Sequence, residues 1–262
     1  MKQEDIQIAA SVLWQNWQQQ TRIDQLPESS RPNNRAEAYA IQAELARLSE
    51  QKVVGWKIAA TSIAGQKHIG VDGPLAGRLL SHRVMTGGAT VSLEHNLMRV
   101  AEAEFVFRFR QDLPPRAQPY EVAEVLAAVE SLHPGIEIPD SRFHDYVRAG
   151  GLQMIADDAC ASWFLLGEPT TANWREMNLV THTVNAYKND ALAATGSGAN
   201  VLGDPRVALT WIANELSAYA DGLRAGEFVT TGTCITPLPI APGDHLRFDY
   251  GAIGLIEAIL SQ

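Results

Sequence analysis

The chain has 262 residues, 46% of them apolar and 19% charged, with a formal net charge of −9. That length can bury a full core, and a net-acidic surface argues against nucleic acid or an anionic membrane as partner, leaving a small-molecule substrate as the expectation. No apolar run approaches the ~20 residues of a membrane-spanning helix, and two cysteines, Cys160 and Cys234, in a chain opening MKQEDIQIAA without a signal-peptide pattern, point to free thiols in a reducing cytoplasm.

Along the chain, Ile6, Ala9, Ala10, Leu13 and Trp17 recur at helical spacing and predict a first helix over 5–18, ended by the polar TRIDQLPESSRPNN stretch. Asn34 with Glu37 three residues on has the form of a capping box, and Ala38, Ile41, Leu45 and Leu48 give the next helix its buried stripe. Residues 1–50 therefore read as a helical N-terminal segment. Beyond them come short β-rich runs, VVGWKI, RVAEAEFVFRF, GIEI, ASWFLL and LVTHTVNAYK, separated by Gly, Pro and Asp turns. A helix is expected after Pro119, with Val122, Val125, Leu126, Val129 and Leu132 on one face. Another follows Asp204 as N-cap and Pro205, with Leu209, Ile212 and Leu216 inward. The end, LRFDYGAIGLIEAIL, reads as two strands about a glycine break. Strands outnumber helices without βα alternation, so the class is α+β with a mixed or mostly antiparallel sheet.

The chemistry concentrates in RVAEAEFVF. Read as a strand, it puts Ala101, Ala103, Phe105 and Phe107 on one face and Val100, Glu102, Glu104 and Val106 on the other. Glutamates two apart lie roughly 6.5–7 Å from each other at Cβ, a gap two side chains can close on one cation; a strand with one dry and one wet side would look the same. Glu137, between Ile136 and Ile138, adds a third carboxylate about thirty residues on, and three such acids from two strands suit an oxygen-rich Mg²⁺ or Mn²⁺ shell. Lys57, among apolar residues in VVGWKIAATS, needs a partner if it is buried, unless its stem runs past Trp56 to water. Asp72 in GVDGPLAG fits either a turn or a catalytic acid. The Gly-rich TGSGANVLGDP lacks the Lys-Ser/Thr ending of a phosphate loop and reads as a turn leading to an N-cap.

Taken together, YAIQ, GWKIAATS, the GVDGP turn, RVAEAEFVF, IEIPDSR, ADDACASWFLLG and GANVLGDPRVALTWIANEL, in that order over nearly the whole chain, resemble the 2-keto-4-pentenoate hydratase and 2-oxo-acid decarboxylase branch of the fumarylacetoacetase superfamily. The resemblance implies a fumarylacetoacetase-type mixed β roll over residues 51–262 behind the helical segment, and a homo-oligomer, with the option of a complex with a pathway decarboxylase or aldolase. It implies Mg²⁺ or Mn²⁺ on Glu102, Glu104 and Glu137, with Lys57 and Asp72 as catalytic Lys and Asp. ADDACAS carries Asp158 where hydratases of the branch usually have Asn, and TGTCITPLP carries Cys234 and Pro237 where relatives more often have Ser/Thr and Gly. Both segments are expected to line the pocket, making Asp158, Cys160 and Thr233 the substrate-contact candidates.

The implied reaction is metal-dependent hydration of a 2-hydroxy-2,4-dienoate to a 4-hydroxy-2-oxo acid, in meta-cleavage catabolism of aromatic compounds. Decarboxylation of a 2-oxo-3-hexenedioate comes next, then acylpyruvate hydrolysis or a non-catalytic partner subunit. Decarboxylation needs a cation or donor cluster for a second carboxylate; Arg142 is the nearest sequence candidate, and Asp157 and Asp158 would repel such a substrate unless turned away.

Overall fold

A computed structural model describes residues 1–262. Helices α1 (Gln3–Gln19) and α2 (Arg35–Leu48) form where the periodicity places them. The cap on α2 is half of the expected box. Asn34 Oδ1 accepts the Glu37 N–H at 2.9 Å, but the Glu37 carboxylate takes the Asn33 N–H and the N-terminal ammonium instead of closing back on Asn34. Strand β1 (Val53–Ala59), a short helix α3 (Ile63–Ile69), β2 (Leu75–Leu80), β3 (Val84–Thr86) and β4 (Thr90–Ser92) lead to the long β5 (Val100–Phe109).

Helix α4 (Val122–Ala128) ends four residues before the expected stripe does, and β6 (Val129–Ile138) takes over. Val129 and Leu132 pair across to Phe109 and Phe107 of β5. The hydrophobic period there is compatible with a helix; sheet pairing with three phenylalanines on β5 wins, and Pro134 suits the strand better than a longer helix. After α5 (Tyr146–Ala149) and α6 (Gly151–Ala156) come β7 (Trp163–Leu166), β8 (Thr183–Lys188) and β9 (Ala191–Ser197). The chain closes with α7 (Pro205–Tyr219), β10 (Phe228–Thr233), β11 (Leu238–Pro239), β12 (His245–Asp249) and β13 (Leu255–Ser261). Asp204 caps α7 by accepting the Arg206 N–H at 2.8 Å.

Two mixed sheets result. One runs β2-β1-β10-β5-β6-β7-β3, with β11 beside the start of β5; the other runs β4-β13-β12-β8-β9. The apolar face of β5, Ala101, Ala103, Phe105, Phe107 and Phe109, is wholly buried in the main core together with α7 and the inner residues of the second sheet. A smaller core joins α1 and α2 to Leu80, Phe143, Ala149 and Ala156, so the helical segment is packed onto the roll through shared apolar residues.

Candidate metal centre

Glu102 and Glu137 stand directly opposite each other in the antiparallel β5–β6 ladder, and Glu104 lies two residues along the same face. One carboxylate oxygen from each falls within 4.8 Å of the others. This second face of β5 is not a wet side: Glu104 is 0% and Glu137 1% exposed. Glu104 is held by the Thr230 hydroxyl and by the Gly232 N–H at 2.7 Å, both on β10, which leaves its other oxygen unpartnered. Neither oxygen of Glu137 accepts an aligned hydrogen bond.

Lys57 comes to the same point from β1, an interior strand between β2 and β10. Its Nζ donates to Ala159 O at 2.9 Å and sits 3.1 Å from Glu137 Oε1. Burial pulls the Lys57 pKa down, but Glu137, Glu102 and Glu104 together outweigh it and hold the ammonium above the ordinary lysine value. Burial, and then repulsion from Glu137, pushes Glu102 up to about 7 and Glu104 well above the usual carboxylate range. One ammonium offsets one of three negative charges and leaves two, the charge a divalent cation supplies. Buried orphan oxygens, mutual repulsion and an all-carboxylate donor set fit a hard ion such as Mg²⁺ or Mn²⁺.

Of the three acids Glu102, with Lys57, opens onto a cavity of about 540 Å³. Lys57, Glu102, Cys160 and Thr233 are on its wall, with Met98, Val100 and Ile235 among the apolar lining. Burial pushes the Cys160 thiol up to about 12, so it faces the cavity as a neutral group. Two expected residues lie elsewhere. Asp72 is exposed in the bend before β2 and borders a separate open depression with Asn34 and Tyr219. Asp158 is buried but turned from the cavity, one carboxylate oxygen accepting the Arg78 N–H at 2.6 Å and the other without a partner. The reason is local backbone: Asp158, Ala159 and Cys160 all have positive φ (58°, 49° and 62°), a left-handed run that sends the Asp158 side chain toward β2 and aims Ala159 O at Lys57. Gly77, opposite Lys57 in the β1–β2 ladder, makes room, since a Cβ there would lie 2.0 Å from Asp158 O.

Arg142 is committed as well. It pairs with the Asp157 carboxylate and donates to Ala161 O at 2.8 Å, bracing the segment that carries Ala159 and Cys160. Three supports escaped the sequence reading: Thr230, Gly232, and Tyr250, whose hydroxyl lies 2.7 Å from Gly135 O and 3.1 Å from Glu104 O, tying β5 and β6 together behind the acids. The Thr-Thr-Gly run was the available signal for the first two, because Gly232 at φ 93° would drive a Cβ to 2.2 Å from Thr61 Oγ1.

No family model matches the chain. A 2-hydroxyhexa-2,4-dienoate hydratase of Comamonas testosteroni is 34% identical over 224 residues, 84% of this chain and 83% of that protein. A 4-oxalocrotonate decarboxylase of Pseudomonas sp. (strain CF600) is 31% identical over 226 residues, 85% and 84% of the two chains. The chain belongs to the 2-keto-4-pentenoate hydratase and 4-oxalocrotonate decarboxylase family. The solved 4-oxalocrotonate decarboxylase of Pseudomonas putida G7, complexed with magnesium and adipate, superimposes with a TM-score of 0.89 over 99% of this chain and 98% of that one, at 26% identity. The α+β roll with its helical N-terminal segment is thus the fumarylacetoacetase type that the family implies.

Proposed function

We propose that the protein is a divalent-metal-dependent hydratase that adds water to a 2-hydroxy-2,4-dienoate to give a 4-hydroxy-2-oxo acid. The observation that carries the reading is the cavity wall: Lys57, beside the acids, is its only lysine or arginine. The 31% identical decarboxylase and the fold match keep decarboxylation of a 2-oxo-3-enedioate as the second reading. Asp157 and Asp158 do not decide between the two, because both are turned away from the cavity. What favours the hydratase is the rest of that wall, where His68, Ser62 and Asn200 are among the polar groups and no permanent cation is present to hold a second carboxylate.

In this reading Glu102, Glu104 and Glu137 hold Mg²⁺ or Mn²⁺, which when bound supplies a Lewis acid for the carboxylate and C2 oxygen of a 2-oxo acid. Lys57, fixed by Ala159 O and Glu137, holds a proton at Nζ on the cavity wall and delivers or withdraws it as the dienol ketonises. His68, Tyr146 and Cys160 are the wall's other titratable groups besides Glu102, and they replace Asp72 as candidates for the second proton transfer. Cys160 and Thr233, with Met98 and Val100, shape the space for the dienoate chain.

The proposal extends to a homo-oligomer, free or complexed with a pathway decarboxylase or aldolase, in a reducing cytoplasm during meta-cleavage catabolism. Both cysteines are free and buried, and no helix is long and apolar enough to cross a membrane. Native mass spectrometry tests the assembly. Ultraviolet-monitored turnover of 2-hydroxydienoates and 2-oxoenedioates, with and without Mg²⁺, tests the reaction. Mg²⁺-dependent loss of the 2-hydroxypentadienoate chromophore supports the hydratase; faster CO₂ release from 2-oxo-3-hexenedioate reverses the order.

A further inference from the structure

A second, smaller cavity of about 100 Å³ lies behind the catalytic one and is lined by three arginines, Arg22, Arg83 and Arg142, and two acids, Glu94 and Asp140, with Ser92, Asn96 and Ser162 among its other polar groups. The two cavities share a wall. In the 139–142 and 160–162 segments, joined by the Asp140 N–H donating to Cys160 O at 2.9 Å, Pro139 and Cys160 face the catalytic side. Asp140, Arg142 and Ser162 face the polar one.

Two of the arginines are charge-paired, Arg22 with Asp140 and Arg142 with Asp157. Arg83 has no carboxylate within ion-pair distance. Its guanidinium carbon sits 4.4 Å from the Trp163 ring centroid and 5.6 Å from that of Trp17, whose ring also carries Arg142 at 4.1 Å. Burial and the neighbouring Arg142 pull the Arg83 pKa down to about 10, so the charge persists at neutral pH but is poorly compensated. Arg83 Nε donates to His82 Nε2 at 3.2 Å, which leaves its two terminal nitrogens as the available donors. A guanidinium held by aromatic faces, without a carboxylate partner and on the wall of a small polar chamber, is the donor of an oxyanion site.

We propose that this chamber binds one small oxyanion, a carboxylate or inorganic phosphate, with Arg83 as its principal ligand. The volume admits an anion of that size and not a dienoate with its chain. Arg83 lies outside the catalytic wall, so the site is separable from turnover.

The test is isothermal titration of the full chain, wild type and Arg83→Gln, with sodium phosphate, acetate and chloride at matched ionic strength. Arg83→Lys, which keeps the charge but loses the fork, and circular dichroism of each variant guard against misfolding. The expected result is saturable binding of one equivalent of phosphate or acetate to the wild type, at least ~10-fold weaker in Arg83→Gln and intermediate in Arg83→Lys, with dienoate turnover retained. A phosphate-only response assigns the site to phosphate, and an acetate response to carboxylates. Absence of saturable binding to the wild type up to about 20 mM, or equal affinity in folded Arg83→Gln, overturns the proposal.

Discussion

At the scale of single residues, the acids and Lys57 make opposite demands on a metal. Glu137→Gln keeps the shape but removes the charge of a carboxylate neither of whose oxygens accepts an aligned hydrogen bond, so Mn²⁺ affinity by calorimetry is expected to fall at least ~10-fold, with activity lost and the fold intact. Lys57→Met should lower kcat at least ~10²-fold, the scale of a positioned acid–base group. It also removes a positive charge 3.1 Å from Glu137, so Mn²⁺ affinity should hold or tighten; weaker Mn²⁺ binding would mark Lys57 as structural support for the acids. Asp158 yields a pH prediction of a different kind. Burial raises its pKa from 3.8 to about 6, so the stability linked to its protonated form is fully present below about pH 4 and lost as pH rises through about 6, at about 1.4 kcal/mol per unit between. Asp158→Asn, neutral throughout, should gain on the wild type in urea unfolding between pH 4.5 and 7.5; a constant difference would mean that the carboxyl ionises freely in the folded chain.

Among the elements, the left-handed run at 158–160 is the most consequential, because it turns an apparent pocket acid away and delivers a backbone carbonyl to Lys57. Gly77→Ala tests it directly. The added Cβ must displace Asp158 O, which should cost about 1–3 kcal/mol of stability and, by withdrawing Ala159 O, lower kcat while Mn²⁺ still binds. Unchanged turnover with an unchanged melting temperature would show that the run yields without effect on Lys57. This element also marks where sequence reading stops. The acids on β5 and β6 are legible because alternation in a strand fixes which side chains share a face, and thirty residues with one helix between them is a readable connection between neighbouring antiparallel strands. Nothing in ADDACAS shows that three consecutive non-glycine residues adopt positive φ, since their neighbours on β1 and β2 impose it. The over-long helix before β6 fails for the same reason: Val129 and Leu132 satisfy a helical period, and pairing with Phe109 and Phe107 decides otherwise.

Across the whole molecule, four strands and the turn after β12 meet where the acids lie: β5 and β6 carry them, β1 brings Lys57, β10 holds Glu104, and Tyr250 in the turn pins the pair from behind. The folded chain thus gathers three carboxylates against one ammonium, whereas the unfolded chain leaves them apart in water. A cation that binds only the gathered set stabilises the fold by mass action, about 2.7 kcal/mol at a hundredfold excess over its Kd. For a chain of this size each kcal/mol moves Tm by about 2–4 °C, so saturating Mg²⁺ should raise Tm by roughly 5–10 °C over an EDTA-treated sample. Glu137→Gln should lose most of that rise, and Lys57→Met should keep it. Because the readout needs no substrate, it separates the metal centre from the identity of the reaction. An equal Tm in Mg²⁺ and EDTA, with Mn²⁺ equally silent, would leave Glu102, Glu104 and Glu137 as a buried acidic cluster that shares protons instead of holding an ion.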